Sequence, residues 1–344
     1  MCLGDSEMKK YLVLLLSIIA CVSLFLLRQR HDTFWIKAAY AVSLWFIFSQ
    51  LLSLVNGFFE KRAFKAWINW LISNTISIIQ VLALFIAVLY SVQDIMLFHT
   101  NSDTASINYI EQRPEFSSIT INDGNKSYVG YIRRVRGDEP SPLIIMFLGN
   151  AMNSAGALRF FDSANMWQYF LNYNFLVVDY PGYGLSDGTP TAESISRQAL
   201  LIYDYASELP FVDESQIIIG GLSIGTGPAM YLAANRTSAG LFLLTPFASG
   251  YDLYNNVLPI FRGPLRLLVR HKFMSEVYAT SVTSPVLIVA SQADEIVPFH
   301  SSERLAESFP ENPTFIALSG IGHNDVMSNI TTLRSIQNFL ESIF

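Results

Sequence analysis

Residues Gly221-Leu222-Ser223-Ile224-Gly225 constrain this chain more than any other stretch. They follow the apolar run Gln216-Ile217-Ile218-Ile219-Gly220 and precede Thr226 to Asn235, a small-residue segment with helical periodicity. A G-x-S-x-G pentapeptide between a strand and a helix needs a very tight turn. Side chains on either flank would strike the neighbouring chain, so glycine stands at both. Such a turn holds the serine Oγ at the top of a sheet, in reach of a base. Without the flanking elements these five residues would be only a glycine-rich turn; with them, Ser223 is a candidate nucleophile.

Around that turn, short apolar runs alternate with helical patterns. Ser118 to Asn122 and Ser127 to Arg134, separated by Asp123-Gly124-Asn125, predict a hairpin. Strands are expected at Leu143 to Leu148, Phe175 to Val178, Gly240 to Leu244, Pro285 to Ala290 and Thr314 to Leu318. Helices are expected at about Ala155 to Leu171, Ala192 to Leu209 and Ser301 to Ser308, with a last one ending near Ile343. The alternation predicts an α/β fold with a mostly parallel sheet covered on both faces, over residues 118–344, with its chemistry at the carboxyl ends of the strands. Polar residues 93–117 read as a linker. Residues of about 248–280, between two strands, read as a lid insertion. There Arg262, Arg266 and Arg270 recur every four residues beside Leu265, Leu268 and Val269, which on a helix would set a basic stripe against an apolar one, suited to an anionic membrane surface.

The chain is 51% hydrophobic and only 15% charged, with a mean hydropathy of +0.34. The excess lies in residues 1–92, where apolar runs span about 11–27, 38–59 and 66–90, each close to the roughly 20 residues a hydrocarbon core requires. Trp35, Trp67, Trp70 and Tyr90 sit near their ends, where amphipathic rings prefer the interface. A multi-pass transmembrane region is expected. With the N-terminus inside, Lys9, Lys10, Lys61, Arg62 and Lys65 lie inside against Arg28, Arg30 and Lys37 outside, five against three. That places the C-terminal domain on the periplasmic, lumenal or extracellular side. Ile18-Ile19-Ala20-Cys21 also resembles a lipoprotein processing site, although Val22 to Leu27 stay apolar, as in a continuing helix.

A net charge of −6 gives no electrostatic case for nucleic acid. Both cysteines, Cys2 and Cys21, precede the C-terminal two-thirds, which leaves no thiolate or disulfide there. None of the five histidines forms a ligating pair, so no metal and no cofactor is expected.

A serine nucleophile needs a base, and the base needs a carboxylate that fixes its tautomer. The candidate base is His323, in Gly320-Ile321-Gly322-His323-Asn324-Asp325 after the last strand, where glycines let the loop bend back. His300 follows a proline at a helix start, and His31, His99 and His271 read as interface or surface residues. The candidate acid is Asp294, in Ser291-Gln292-Ala293-Asp294-Glu295 at the end of a strand, with Glu295 turned elsewhere. Asp325 reads as a loop partner, and Asp179 and Asp187 as residues that shape their own turn. For an oxyanion hole, the N–H of Ile224 is one expected donor, and Asn150 or Ala151, in the turn leaving the strand Leu143 to Leu148, supplies the other.

Taken in order, these pieces resemble the α/β-hydrolase superfamily, and within it the membrane-anchored alpha/beta hydrolase domain-containing proteins, some lysophospholipase-like and some protein-depalmitoylating. The resemblance is carried by Gly149-Asn150-Ala151, by Asp179-Tyr180-Pro181-Gly182-Tyr183-Gly184-Leu185-Ser186-Asp187-Gly188, by the turn at Ser223, by Ala293-Asp294-Glu295-Ile296-Val297-Pro298 and by Gly322-His323-Asn324-Asp325. It implies an α/β-hydrolase fold and attack of Ser223 on an acyl ester, thioester or amide carbonyl, followed by hydrolysis of the acyl-enzyme by water that His323 activates. One departure stands out: Leu148 occupies the place where that group has a histidine supporting the oxyanion loop. A peptidase of prolyl-oligopeptidase type shares the order of the three residues but has a gating N-terminal domain. A catalytically silent scaffold would have no need of all three.

Overall fold

The computed structural model describes residues 13–23, 34–60, 66–135, 137 and 139–344. The chain divides into two units, Met1–Met96 and Leu97–Phe344.

The first unit contains helices α1 (Val13–Ser23), α2 (Phe34–Glu60) and most of α3 (Ala66–Leu97). Within α3, the 21 residues Trp70–Tyr90 are long and apolar enough to cross a membrane. Large side chains there, such as Ile78 and Val81, are exposed. The apolar stretches Val13–Ser23 and Val42–Leu54 are shorter, so among the described residues one of the three expected spans reaches the required length. Residues 11–12 and 24–27 of the first expected span lie outside the described residues. So do Lys9, Lys10, Arg28, Arg30, Lys61, Arg62 and Lys65, on which the expected orientation depends, and Cys2. Cys21 lies inside α1. Gln80 Nε2 of α3 donates to Ser49 Oγ of α2 at 3.3 Å, a polar link of the kind that joins helices where apolar surface supplies little selectivity.

The second unit is built on one eight-stranded sheet: β1 (Phe116–Asp123), β2 (Lys126–Arg133), β3 (Ser141–Phe147), β4 (Asn174–Val178), β5 (Val212–Leu222), β6 (Gly240–Leu244), β7 (Val286–Ser291) and β8 (Thr314–Leu318). Their order is β1-β2-β4-β3-β5-β6-β7-β8. The pairs β1 with β2 and β2 with β4 are antiparallel, and every later pair is parallel. The hairpin closes with Asp123 opposite Lys126; Gly124, at φ +63°, takes the left-handed conformation that so short a turn requires. The central strands β4, β6 and β7 are buried along their whole length, because α5 (Ser154–Ser163), α6 (Ala192–Ser207), α7 (Thr226–Asn235), α10 (Phe299–Ala306) and α11 (Ile330–Ile343) cover the sheet. Phe161, Trp167, Phe170 and Phe175 form one aromatic cluster on it, with ring centroids 5.2 to 5.9 Å apart.

Three expectations differ from what is observed. Residues 93–117, read as a linker, hold the end of α3 and the helix α4 (Thr104–Glu111), whose N-cap Asp103 accepts from the amides of Ala105 and Ser106. The helix expected from Ala155 to Leu171 stops at Ser163, since Asn165 turns left-handed at φ 53°; a 3₁₀ turn, Met166–Tyr169, follows. In the lid, α8 (Gly250–Val257) and α9 (Ser275–Ala279) leave Arg262, Arg266 and Arg270 on no common α-helix. Gly263 at φ +53° and Pro264 begin a 3₁₀ turn, Gly263–Leu268, with three residues per turn, so residues four apart do not align along one face.

Candidate active site

Strand β5 delivers the chain to Ser223, whose φ of +52° is left-handed and strained for a residue with a side chain. What surrounds it makes this conformation the one available. A Cβ on Gly221 would lie 2.8 Å from Thr226 Cα, and one on Gly225 would lie 2.3 Å from Phe147 O and 2.5 Å from Leu148 O. Thr226 Oγ1 donates to Ser223 O at 2.6 Å, tying the serine backbone to the first turn of α7.

The structure brings Ser223, His323 and Asp294 together, although Ser223 and His323 are 100 residues apart. Ser223 Oγ is 2.9 Å from His323 Nε2, and His323 Nδ1 is 2.7 Å from Asp294 Oδ2. The imidazole and carboxylate are almost wholly removed from solvent, with side-chain exposures of 6% and 2%. Asp294 is fixed by its other oxygen, which accepts from Ile296 N at 2.9 Å and Val297 N at 2.7 Å. That geometry favours the imidazole tautomer with Nδ1–H toward Asp294 and a free lone pair at Nε2 toward the hydroxyl. The loop carrying His323 is joined to the loop carrying Asp294 by Ser291 Oγ, which donates to Ile321 O, and by Gln292 N, which donates to Leu318 O. Glu295 is exposed, with Oε2 3.4 Å from His323 N.

The turn after β3 is Leu148-Gly149-Asn150-Ala151, with Ala151 left-handed at φ 59°. Asn150 Oδ1 accepts from Ala151 N, His99 N and Tyr183 Oη, each at 2.9 Å. Because the Ala151 N–H is engaged by its neighbour's side chain, the Asn150 N–H is the freer of the two donors considered for this turn. With Oδ1 receiving three donors, Asn150 Nδ2 faces His99 Nδ1 at 2.7 Å and donates to it. His99, read from sequence as an interface or surface residue, is exposed and also braces this turn, and Asn101 beside it accepts from Gly184 N at 2.9 Å. His271, by contrast, is not a surface residue: it is buried, accepts from Ala192 N at 3.3 Å and packs edge-on against Phe98 at 4.9 Å. His300 is exposed at the start of α10, and His31 lies outside the described residues.

The loop 179–188 supports the same turn. Tyr180 Oη donates to Leu148 O at 2.7 Å, and Tyr183 holds Asn150 as described. The Asp179 carboxylate accepts from Ser154 N and from Leu185 N; burial pushes its pKa above the usual carboxylate range while those amides pull the other way. Asp187 Oδ2 accepts from Ser127 N at 2.9 Å. Both aspartates shape the loop and stand apart from the Ser223–His323 pair, and a Cβ at Gly184 would lie 1.9 Å from Asp179 Oδ2, so glycine is required there.

No protein-family model matches the chain. An uncharacterized protein of Mycobacterium tuberculosis is 33% identical over 172 residues, 49% of this chain and 60% of that protein. Alpha/beta hydrolase domain-containing protein aho-3 of Caenorhabditis elegans is 28% identical over 173 residues, half of each chain. Alpha/beta hydrolase domain-containing protein 17C of Mus musculus is 28% identical over 170 residues, 49% of this chain and 51% of its own length. The chain thus spans little more than half the length of the curated relatives it matches. Among solved structures, Est1E from Butyrivibrio proteoclasticus with ferulic acid bound superposes with a TM-score of 0.52 at 21% identity, covering 65% of this chain and 96% of that one. The alpha/beta hydrolase GrgF from a Penicillium species gives 0.51 at 19%, covering 66% and 97%. The second unit has the α/β-hydrolase fold, and the chain resembles the alpha/beta hydrolase domain-containing proteins.

Proposed function

We propose that this protein is a membrane-anchored serine hydrolase that cleaves acyl esters or thioesters, of lipid or acyl-protein type, through Ser223, His323 and Asp294. The observation that carries the reading is the unbroken hydrogen-bonded line from the Ser223 hydroxyl, 2.9 Å to His323 Nε2, and from His323 Nδ1, 2.7 Å to Asp294.

His323 takes the Ser223 proton as Oγ attacks the acyl carbonyl. The N–H groups of Ile224 and Asn150 receive the developing oxyanion, and a missing donor of this kind typically costs roughly 10²–10³ in rate. The imidazolium then protonates the departing alcohol or thiol, leaving an acyl group on Ser223. A water that gives its proton to His323 attacks that acyl group and frees the acid. Asp294 stays ionised and steadies the imidazolium in both halves. No step calls for a metal or cofactor.

Anchoring through several N-terminal spans is part of the proposal, supported by the apolar runs of residues 1–92 and by α3, whose Trp70–Tyr90 stretch is long enough to cross a bilayer. The lysine and arginine distribution supports a catalytic unit on the periplasmic, lumenal or extracellular side.

The test is covalent labelling of the full chain in detergent by a fluorophosphonate. Wild type is labelled at Ser223, and both Ser223→Ala and His323→Ala lose the label while keeping the wild-type thermal unfolding midpoint. Undiminished labelling of Ser223→Ala would sink the assignment. Acyl esters, thioesters and peptide amides offered side by side then set the substrate class, with the first two turned over.

A further inference from the structure

A guanidinium at the far end of the sheet from Ser223 is left without a counter-charge. Arg133 is the last residue of β2, opposite Phe116 at the start of β1 and Phe175 near the start of β4. Because β4 runs parallel to β3, and β3 to β5, Arg133 stands at the amino ends of the parallel strands, whereas Ser223 follows the carboxyl end of β5. A cavity of about 980 Å³ lies there, walled in part by Pro114, Glu115, Arg133, Arg134, Asp162 and Trp167.

Arg133 is half-buried, and its guanidinium lies over the Trp167 ring, 4.7 Å from the centroid. Its Nη1 is buried and has no hydrogen-bond partner among the described residues. The Trp167 side chain is more deeply enclosed, at 9% exposure, and its Nε1 is buried and unpartnered as well. The two carboxylates of the wall are taken up elsewhere. Asp162 Oδ2 accepts from Tyr109 Oη at 2.5 Å and lies 3.2 Å from Arg113 Nη2, while Glu115 Oε1 lies 3.4 Å from Arg113 Nη1. Withdrawing a cation from water without pairing it is costly, and a guanidinium cannot shed its charge to escape that cost. Buried donors without acceptors are rare in folded proteins, so two on one cavity call for an acceptor from outside the chain.

We propose that this cavity is a binding site for an organic carboxylate, separate from the Ser223 site. Arg133 supplies a charged donor and Trp167 a neutral one, a pair that matches the two oxygens of a carboxylate. Charge points the same way. The guanidiniums of Arg113, Arg133 and Arg134 outnumber the carboxylates of Glu115 and Asp162 by one, and Arg136 and Asp138 in the same stretch of sequence add one charge of each sign. One positive charge in excess balances one carboxylate, whereas a phosphate monoester carries about −1.5 to −2. The volume exceeds what the carboxylate alone fills, so that group is one end of a larger molecule.

The test is thermal unfolding of the full chain in detergent with sodium benzoate, acetate, phosphate or chloride at equal ionic strength. Benzoate raises the midpoint most and acetate less, and phosphate does no more than chloride. In Arg133→Gln the carboxylate-dependent rise is lost, and in Trp167→Phe the apparent Kd for benzoate rises about fivefold, as expected for one neutral hydrogen bond. Arg236→Gln, which removes an ion pair with Asp204, keeps the full response. With no carboxylate added, Arg133→Gln unfolds at or above the wild-type midpoint, because it removes a half-buried charge that no neighbour balances. Its fluorophosphonate labelling at Ser223 is unchanged, so the result does not depend on the proposed hydrolysis. A carboxylate-free midpoint of Arg133→Gln clearly below wild type would make Arg133 a packing partner of Trp167 and overturn the proposal. So would equal stabilisation by chloride and the carboxylates, or a carboxylate response that survives in Arg133→Gln. Phosphate that matches benzoate would make this a general anion site and overturn the assignment to a carboxylate.

Discussion

Gly225 and Gly263 need glycine for opposite reasons, and the two regions they belong to differ in the same way. At the turn after Ser223, Gly225 has an ordinary helical backbone, φ −65° and ψ −16°, but a Cβ there would stand 2.3 Å from Phe147 O and 2.5 Å from Leu148 O. In the lid, Gly263 has nothing within 4 Å of where a Cβ would be, yet its φ is +53°. The serine turn is fixed by what packs on it, so its strain at Ser223 cannot relax. The lid is fixed by its own backbone geometry, with neighbours at a distance; Leu267 on it is 82% exposed. A fold that must hold one hydroxyl still and yet admit a substrate benefits from both.

The largest effect in this comparison is expected from Gly225→Ala. The colliding atoms are backbone carbonyls of β3 and the turn after it, not side-chain tips that can swing away, so either the sheet or the serine must shift. We expect a loss of about 3 kcal/mol or more in denaturant unfolding and loss of fluorophosphonate labelling at Ser223. A folded variant with wild-type labelling would break the claim that packing dictates the turn.

A middle-sized effect separates the turn after β3 from both. Asn150 is held by Tyr183 Oη from one side and by His99 from the other. His99→Ala removes the ring acceptor and leaves the backbone donor, so the turn keeps its place but its amides lose their aim. The expected outcome is a drop of about tenfold in kcat with KM little changed, the signature of a contact felt at the transition state. His99→Asn, which restores an acceptor, should recover part of it. Equal losses in kcat for the two variants, with parallel losses of unfolding midpoint, would reduce His99 to a packing residue.

The same contrast explains what was legible beforehand. The strands and the serine turn were readable because their requirements are local: buried parallel strands need continuous apolar runs, and a cramped turn needs glycine at fixed offsets. Ser223, Asp294 and His323 could be named because each closes a strand, and the structure brings them together; their chemical roles stand as the proposal above. His99 could not be named, because its partner lies 51 residues away and its surroundings read as a polar linker. The one local signal there was Asp103, an N-cap ahead of α4. The arginines of the lid were placed on a helix because a spacing of four presupposes one, although Gly263-Pro264 were visible breakers in the middle of the stretch. His271 was misread for want of Phe98 and Ala192, neither of them near it in sequence.

The smallest effect sharpens the comparison most, because it uses the same substitution as the largest. Gly263→Ala meets no atoms, so its cost is only that of a left-handed φ in a residue with a Cβ, about 1 kcal/mol. Part of that is offset by the narrower unfolded ensemble of alanine. The net expected loss in denaturant unfolding is below about 1 kcal/mol, with fluorophosphonate labelling at Ser223 retained, since no contact of the serine turn is altered. A loss as large as that of Gly225→Ala would mean that the lid is packed as tightly as the turn, and the division between a region held by neighbours and one held by its backbone would not stand.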